Sequence, residues 1–153
     1  VNVFTPENNI WKLFSKEMDS PLRLTDNRVI AIYEDKKGNF WLGTNGGINV
    51  ISPELDSIWY LNHEKANSNS LSSDRVFSFY EDQDGIMWIG TMGGGLNRYD
   101  PVNRSFKIFT EREGLPNNLV YGTLDDQIGN LWIRSFINLY RLISSTGFHT
   151  SST

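Results

Sequence analysis

The feature that most constrains this chain is a twelve-residue unit that occurs three times, at Tyr33–Thr44, Tyr80–Thr91 and Leu124–Ser135. The second copy reads Tyr80-Glu81-Asp82-Gln83-Asp84-Gly85-Ile86-Met87-Trp88-Ile89-Gly90-Thr91. Its tryptophans, Trp41, Trp88 and Trp132, stand 47 and then 44 residues apart. A near-constant period of this size means stacked supersecondary units, and it brackets the length of a propeller blade.

Each copy reads as strand, tight turn, strand. Val76–Tyr80 is apolar and aromatic on both faces, as a strand packed between neighbouring sheets must be. The Asp-x-x-Gly that follows is turn chemistry: the carboxylate accepts backbone amides two residues on, and glycine takes positive φ. Trp88 and Ile89 open the return strand, and Gly90 leaves room for an adjoining backbone or ring.

The flanking segments extend each hairpin to four strands, A to D. In the first full repeat, Leu24 to about Ser70, these are Val29–Tyr33, Phe40–Thr44, Ile48–Ile51 and Ile58–Leu61. The second repeat, Leu71 to Gly114, follows the same plan. Asn2–Phe14 aligns with strands C and D of that repeat, so the chain opens on half a blade. The third repeat keeps A (Val120–Leu124) and B (Leu131–Ile133), with a candidate C at Asn138–Leu142 and no D. It departs from the others at Arg134, Ser135 and Ile137. The expected fold is therefore all-β, a β-propeller of about three four-stranded blades. Its parts are a half blade at 2–14, blades at 24–61 and 71–109, and a partial blade at 115–142. Residues 1–143 make up the propeller and residues 144–153 a Ser/Thr-rich, disordered tail.

Three blades are too few to close a ring. The unpaired strands at the two ends of the chain predict closure by a homodimer into six blades, an isologous arrangement.

Composition excludes several classes. A net charge of −4 over 153 residues, with no basic run, argues against nucleic acid and anionic membrane as partners. No apolar run reaches the length of a membrane-spanning helix and no signal peptide is visible. The chain opens at Val1 without methionine, as an excised or processed piece would. The absence of cysteine removes disulfides, thiol catalysis and cysteine metal sites.

The strings Asn39–Gly47 and Asp84–Pro101 resemble the two-component regulator propeller repeat, with Val29 and Val76 and the Glu-Asp pairs after them in the family's strand A pattern. That resemblance implies an extracytoplasmic or periplasmic sensor domain of bacterial, often hybrid, histidine kinases, many of which detect glycans or their breakdown products. It implies a non-catalytic role in signal transduction and supplies no catalytic residues.

The chemistry-bearing candidates are few. The acid pairs Glu34-Asp35, Glu81-Asp82 and Asp125-Asp126 recur in every repeat, which marks turn chemistry rather than a glycosidase pair. Neighbouring strand residues also point to opposite faces. Asp82-x-Asp84-Gly85 lacks the remaining ligands of a calcium loop. The glycines Gly93–Gly95 have no phosphate-binding lysine after them. His63 and His149 have no companions, so neither metal nor cofactor is expected. The repeat tryptophans are expected in the core between blades. Trp59 and Tyr60, with Arg28 and Arg75, are the candidate ligand-binding residues, the aromatic pair for stacking on an oligosaccharide. The alternatives are a structural or protein-interaction module that self-assembles, and a propeller lyase.

Overall fold

The computed structural model describes residues 1–136, 138–143 and 147–150. Ile137, and the tail positions 144–146 and 151–153, lie outside the described residues. Within each sheet every strand pairs antiparallel with the next, so each sheet is a simple meander. The half blade is β1 (Asn2–Thr5) with β2 (Ile10–Leu13). The first full blade is β3 (Val29–Glu34), β4 (Phe40–Thr44), β5 (Gly47–Ile51) and β6 (Ile58–Leu61). The second is β7 (Val76–Glu81), β8 (Met87–Thr91), β9 (Leu96–Asp100) and β10 (Ser105–Phe109). The third is β11 (Gly122–Asp125), β12 (Asn130–Arg134), β13 (Leu139–Ile143) and β14 (Gly147–Thr150). Among the described residues there is no α-helix, only a 3₁₀ turn at Glu111–Glu113 closed by a Thr110–Glu113 capping box.

The blades stack through their first strands. β7 packs on β3 and β4, and β11 packs on β7 and β8. Between the first two blades Trp41, Ile48, Val50, Val76, Phe79 and Met87 form one apolar core. A second core joins Leu96 of the second blade to Val120, Leu131 and Ile133 of the third. The half blade covers the other side of the first blade through Phe14, beside Leu24, Leu42 and Ile51.

Two glycines set the blade spacing. A Cβ on Gly43 would lie 2.8 Å from Val76 Cγ1 and 3.1 Å from the Phe79 ring. One on Gly90 would lie 2.7 Å from the Val120 carbonyl. Each glycine therefore admits strand A of the next blade. In the third blade Arg134 takes this position and is exposed, with Gly122 opposite it where Ala31 and Ser78 stand in the earlier blades.

Two expectations are corrected. The third repeat does have a fourth strand: β14 pairs with β13 where a disordered tail without strand D was anticipated. A Ser/Thr-rich segment with a glycine carries no strand signal of its own, and the pairing comes from the free edge of β13. With that strand in place the third sheet has its own four strands. The half blade β1–β2 remains two-stranded, so one of the two open ends on which six-blade dimer closure was argued is filled and the other is not. The repeat tryptophans also differ among themselves: Trp41 is buried at 3 % exposure, whereas Trp88 and Trp132 are only half-buried. Each lies close to the A–B turn, where solvent reaches between the blades.

Candidate functional site

The recurrent acids are committed to the scaffold, and the two members of each pair do different work. The second acid organises its own hairpin. Asp82 Oδ1 accepts the amides of Asp84 and Ile86, both at 3.0 Å, and Oδ2 accepts the Trp88 indole N–H at 2.8 Å. Asp35 does the same for Lys37, Asn39 and Trp41, and Asp126 for Ile128, Asn130 and Trp132. Gly38, Gly85 and Gly129 take the positive φ the turn requires. Desolvation pushes the carboxyl of Asp35 up, but the bonds from Trp41 and Asn39 outweigh it and hold it below the ordinary value. For Asp126 the same balance, with Asn130 and Trp132 as donors, sets the carboxyl at about 2.

The first acid ties adjacent blades together. Glu81 accepts the Lys36 amide at 2.7 Å, and its own amide donates to the Tyr33 hydroxyl at 3.3 Å. One blade on, the Tyr80 hydroxyl donates to Asp125 Oδ2 at 3.0 Å. Desolvation, reinforced by that carboxylate, raises the Tyr80 phenol to about 12. Glu34 is the exception and is exposed. An acid–base pair drawn from these residues would have to abandon the hairpin or the blade junction it holds. The loop histidine is likewise structural, with His63 Nδ1 2.7 Å from the Leu71 carbonyl. Among the described residues no group of three or more His, Asp or Glu is arranged to hold a metal.

At the opposite end of the strands a buried latch recurs. Asn49 accepts the Thr25 amide and donates to its hydroxyl, both at 2.9 Å. Asn97 makes the same pair of bonds to Ser72, at 3.0 and 2.7 Å. The third repeat has Pro116 where Thr25 and Ser72 stand, and Tyr140 where the asparagines stand. Proline has no amide to offer, so a buried asparagine there would lose its donor. The signal was present in the sequence as a Thr/Ser and an Asn at matched offsets, and it was missed.

Two grooves open between the blades at the A–B turn end. The first, of about 700 Å³, lies between the first and second blades and is bordered by Trp41, Trp59, Tyr60, Tyr99, Lys37 and Arg104. The second, of about 570 Å³, lies between the second and third and is bordered by Tyr80, Trp88, Arg98, Lys107, Phe109 and Asp125. Strand register explains the contrast. Directly paired residues share a face, giving a row Tyr33–Trp41–Val50–Trp59 in the first blade. The equivalent row in the second is Tyr80–Trp88–Arg98–Lys107. The same scaffold positions thus carry Val50 and Trp59 in one blade and Arg98 and Lys107 in the next.

Of the four residues singled out for ligand binding, the structure brings two together. Trp59 and Tyr60 border the first groove at 40 % and 39 % exposure, the tyrosine hydroxyl donating to the Arg23 carbonyl at 2.7 Å. Arg28 and Arg75 are exposed just before β3 and β7, at the other end of those strands, and border neither groove. Arg98 and Lys107 were not singled out, because their significance lies in cross-strand register rather than in a local motif.

Residues 23–46 and 70–93 match the two component regulator propeller family. The chain is similar to that family's repeat over these two segments. The matched segments are the two A–B hairpins with the loops that the asparagine latches hold. Solved structures agree on the fold. The extracellular domain assigned to the hybrid two component system BT4673 of B. thetaiotaomicron superposes with a TM-score of 0.78 at 20 % identity, over 94 % of this chain and 21 % of that one. That of BT3049 from the same organism gives 0.77 at 23 % identity, over 99 % and 20 %. PorZ, a surface component of the type-IX secretion system of Porphyromonas gingivalis, gives 0.61 at 23 % identity, over 78 % and 18 %. The chain spans about a fifth of the length of these propeller-repeat structures. No curated protein matches it in sequence.

Proposed function

We propose that this chain is a non-catalytic, ligand-binding segment of an extracytoplasmic sensor domain in a two-component system, and that a saccharide ring stacks on Trp59 in the first groove. The observation that carries the reading is the state of that indole. Trp41, Trp88 and Trp132 each donate to a turn aspartate. Among the described residues Trp59 has no acceptor for its N–H, and it presents its ring at the border of a groove sized for a small ligand. An amphipathic ring with a free N–H suits a sugar, whose C–H face is apolar and whose rim is hydroxyl. The extracytoplasmic placement rests on the repeat family and on the extracellular neighbours. Among the described residues no helix is long and apolar enough to cross a membrane.

A second reading, a structural or interaction module, draws on the likeness to PorZ, described as a surface component of a secretion system. A lyase finds less support, since five of the six recurrent acids are already engaged in hairpins or blade junctions.

A glycan array followed by calorimetry on the best binder separates these readings. The sensor reading expects saturable binding that Trp59→Ala weakens by about tenfold or more, as loss of an aromatic stacking partner should. Absence of binding to every glycan, with retained fold, favours the interaction module. Turnover of a bound polymer would return the lyase.

A further inference from the structure

We propose that the second groove is a separate site for an anionic saccharide, one bearing a carboxylate or sulfate, held by Arg98 and Lys107. The inference adds a ligand class to the ligand-binding reading above but stands on a different groove and different residues.

Three observations converge. Arg98 lies in the middle of β9 and is half-buried, and among the described residues no carboxylate is hydrogen-bonded or ion-paired to it. Asp100, two residues along the same strand, is lowered mainly by bonds from Asn103 and only in last place by the charge of Arg98. A half-buried guanidinium without an acceptor is costly and is usually completed by water or ligand.

Lys107 is paired directly opposite Arg98, so both cations project from one face. Its ammonium sits 5.1 Å from the centre of the Phe109 ring and has no acid partner among the described residues. A planar fork beside a point charge suits a carboxylate or sulfate, which the arginine takes bidentately.

The groove also holds four carboxylates, which keep their charge, but among the described residues none is paired to Arg98 or Lys107. Asp82 serves its turn and Trp88, Asp125 accepts from Tyr80 and from the Gln127 amide, and Glu113 accepts from Thr110. Asp84, the fourth acid, is exposed in the turn. Beside the cations, Trp88 and Phe109 stack at 6.0 Å and border the same groove. In the first groove Val50 and Trp59 occupy these two strand positions, and its cations, Lys37 and Arg104, lie on turns instead.

The test is calorimetric titration of the intact chain with three disaccharides: digalacturonate, 6-sulfated galactobiose and neutral galactobiose. At least one anionic sugar should bind about tenfold more tightly than the neutral one, the scale of a charge-assisted bond, and the preference should fall with added salt. Which anionic arm binds distinguishes carboxylate from sulfate, and either supports the site. Arg98→Met should abolish the preference and Lys107→Met should reduce it, with the far-UV spectrum unchanged. Trp59→Ala should leave it intact. Equal binding of all three sugars, no binding of any, or a preference that survives Arg98→Met overturns the proposal. So does a preference lost in Trp59→Ala but kept in Arg98→Met, which would place the anion in the first groove. If anionic binding persists in the second groove while no glycan depends on Trp59, this site stands and the stacking role of Trp59 falls.

Discussion

The indole N–H of Trp88 donates to Asp82 across the A–B hairpin at 2.8 Å, and the same bond recurs between Trp41 and Asp35 and between Trp132 and Asp126. One carboxylate thereby fixes the turn and the ring that packs at the blade junction. Local turn chemistry and inter-blade packing are coupled through a single residue. Asp82→Ala should cost about 2–4 kcal/mol, since two turn amides and an indole lose their acceptor together. Trp88→Phe should cost about 1–2 kcal/mol, and the two changes together less than their sum. A double-mutant cycle by urea denaturation measures this; additive costs would mean the bond is not formed.

Gly90 tests blade spacing. Its substitution by alanine places a methyl within 2.7 Å of the Val120 carbonyl, and should destabilise by about 1–3 kcal/mol through overpacking. Gly93 is the control. It has open space around it and φ of 86°, so alanine there should cost only the backbone term of about 1–2 kcal/mol. Only the Gly90 variant should also loosen the packing of Val120, read as increased amide exchange in β11.

The latch at the other end gives a third prediction. Asn97 is fully buried and holds the loop before β7 through Ser72. Asn97→Ala leaves the Ser72 amide unpaired and should cost about 1–3 kcal/mol in thermal or chemical denaturation. A neutral result would mean that water replaces the amide without penalty.

Two turn aspartates, Asp35 and Asp126, make stability depend on acid pH. Their folded carboxyls lie below the ordinary value of 3.8, Asp126 at about 2. The folded state therefore binds protons more weakly than the unfolded one. The stabilisation is complete above pH 3.8 and is lost as pH falls toward 2. Asp126→Asn should remove part of that acid-side slope while leaving the slope above pH 5 unchanged, as checked by melting temperature against pH.

Much of this fold was legible before any coordinates, because the decisive signals are local. The Asp-x-x-Gly turns, the strand pairs flanking them and the glycine after Trp41-Leu42 and Trp88-Ile89 all act within a dozen residues. What was missed depends on register or on tertiary pairing. β14 follows from the free edge of β13 and has no strand pattern of its own. Arg98 and Lys107 are nine positions apart in sequence and become one cationic pair only once β9 and β10 are aligned. Reading the acid pairs as turn chemistry holds for the second member of each, Asp35, Asp82 and Asp126, but not for Glu81, which reaches the neighbouring blade. Their reach to the indole, six residues on, and to the preceding blade's tyrosine was not foreseen. Arg28 and Arg75 stand at matched positions of the two repeats but border neither groove.

The central claim is a division of labour: the repeated tryptophans hold the scaffold, and Trp59 is free for recognition. The most direct test is solvent exchange of the five tryptophan indole protons in one nitrogen-15 spectrum. Trp41, Trp88 and Trp132 should be protected by their aspartates, while Trp11 and Trp59 exchange rapidly; on adding a glycan that the chain binds, Trp59 should shift most. Rapid exchange at the three repeat indoles, or protection at Trp59 before ligand is added, would contradict it.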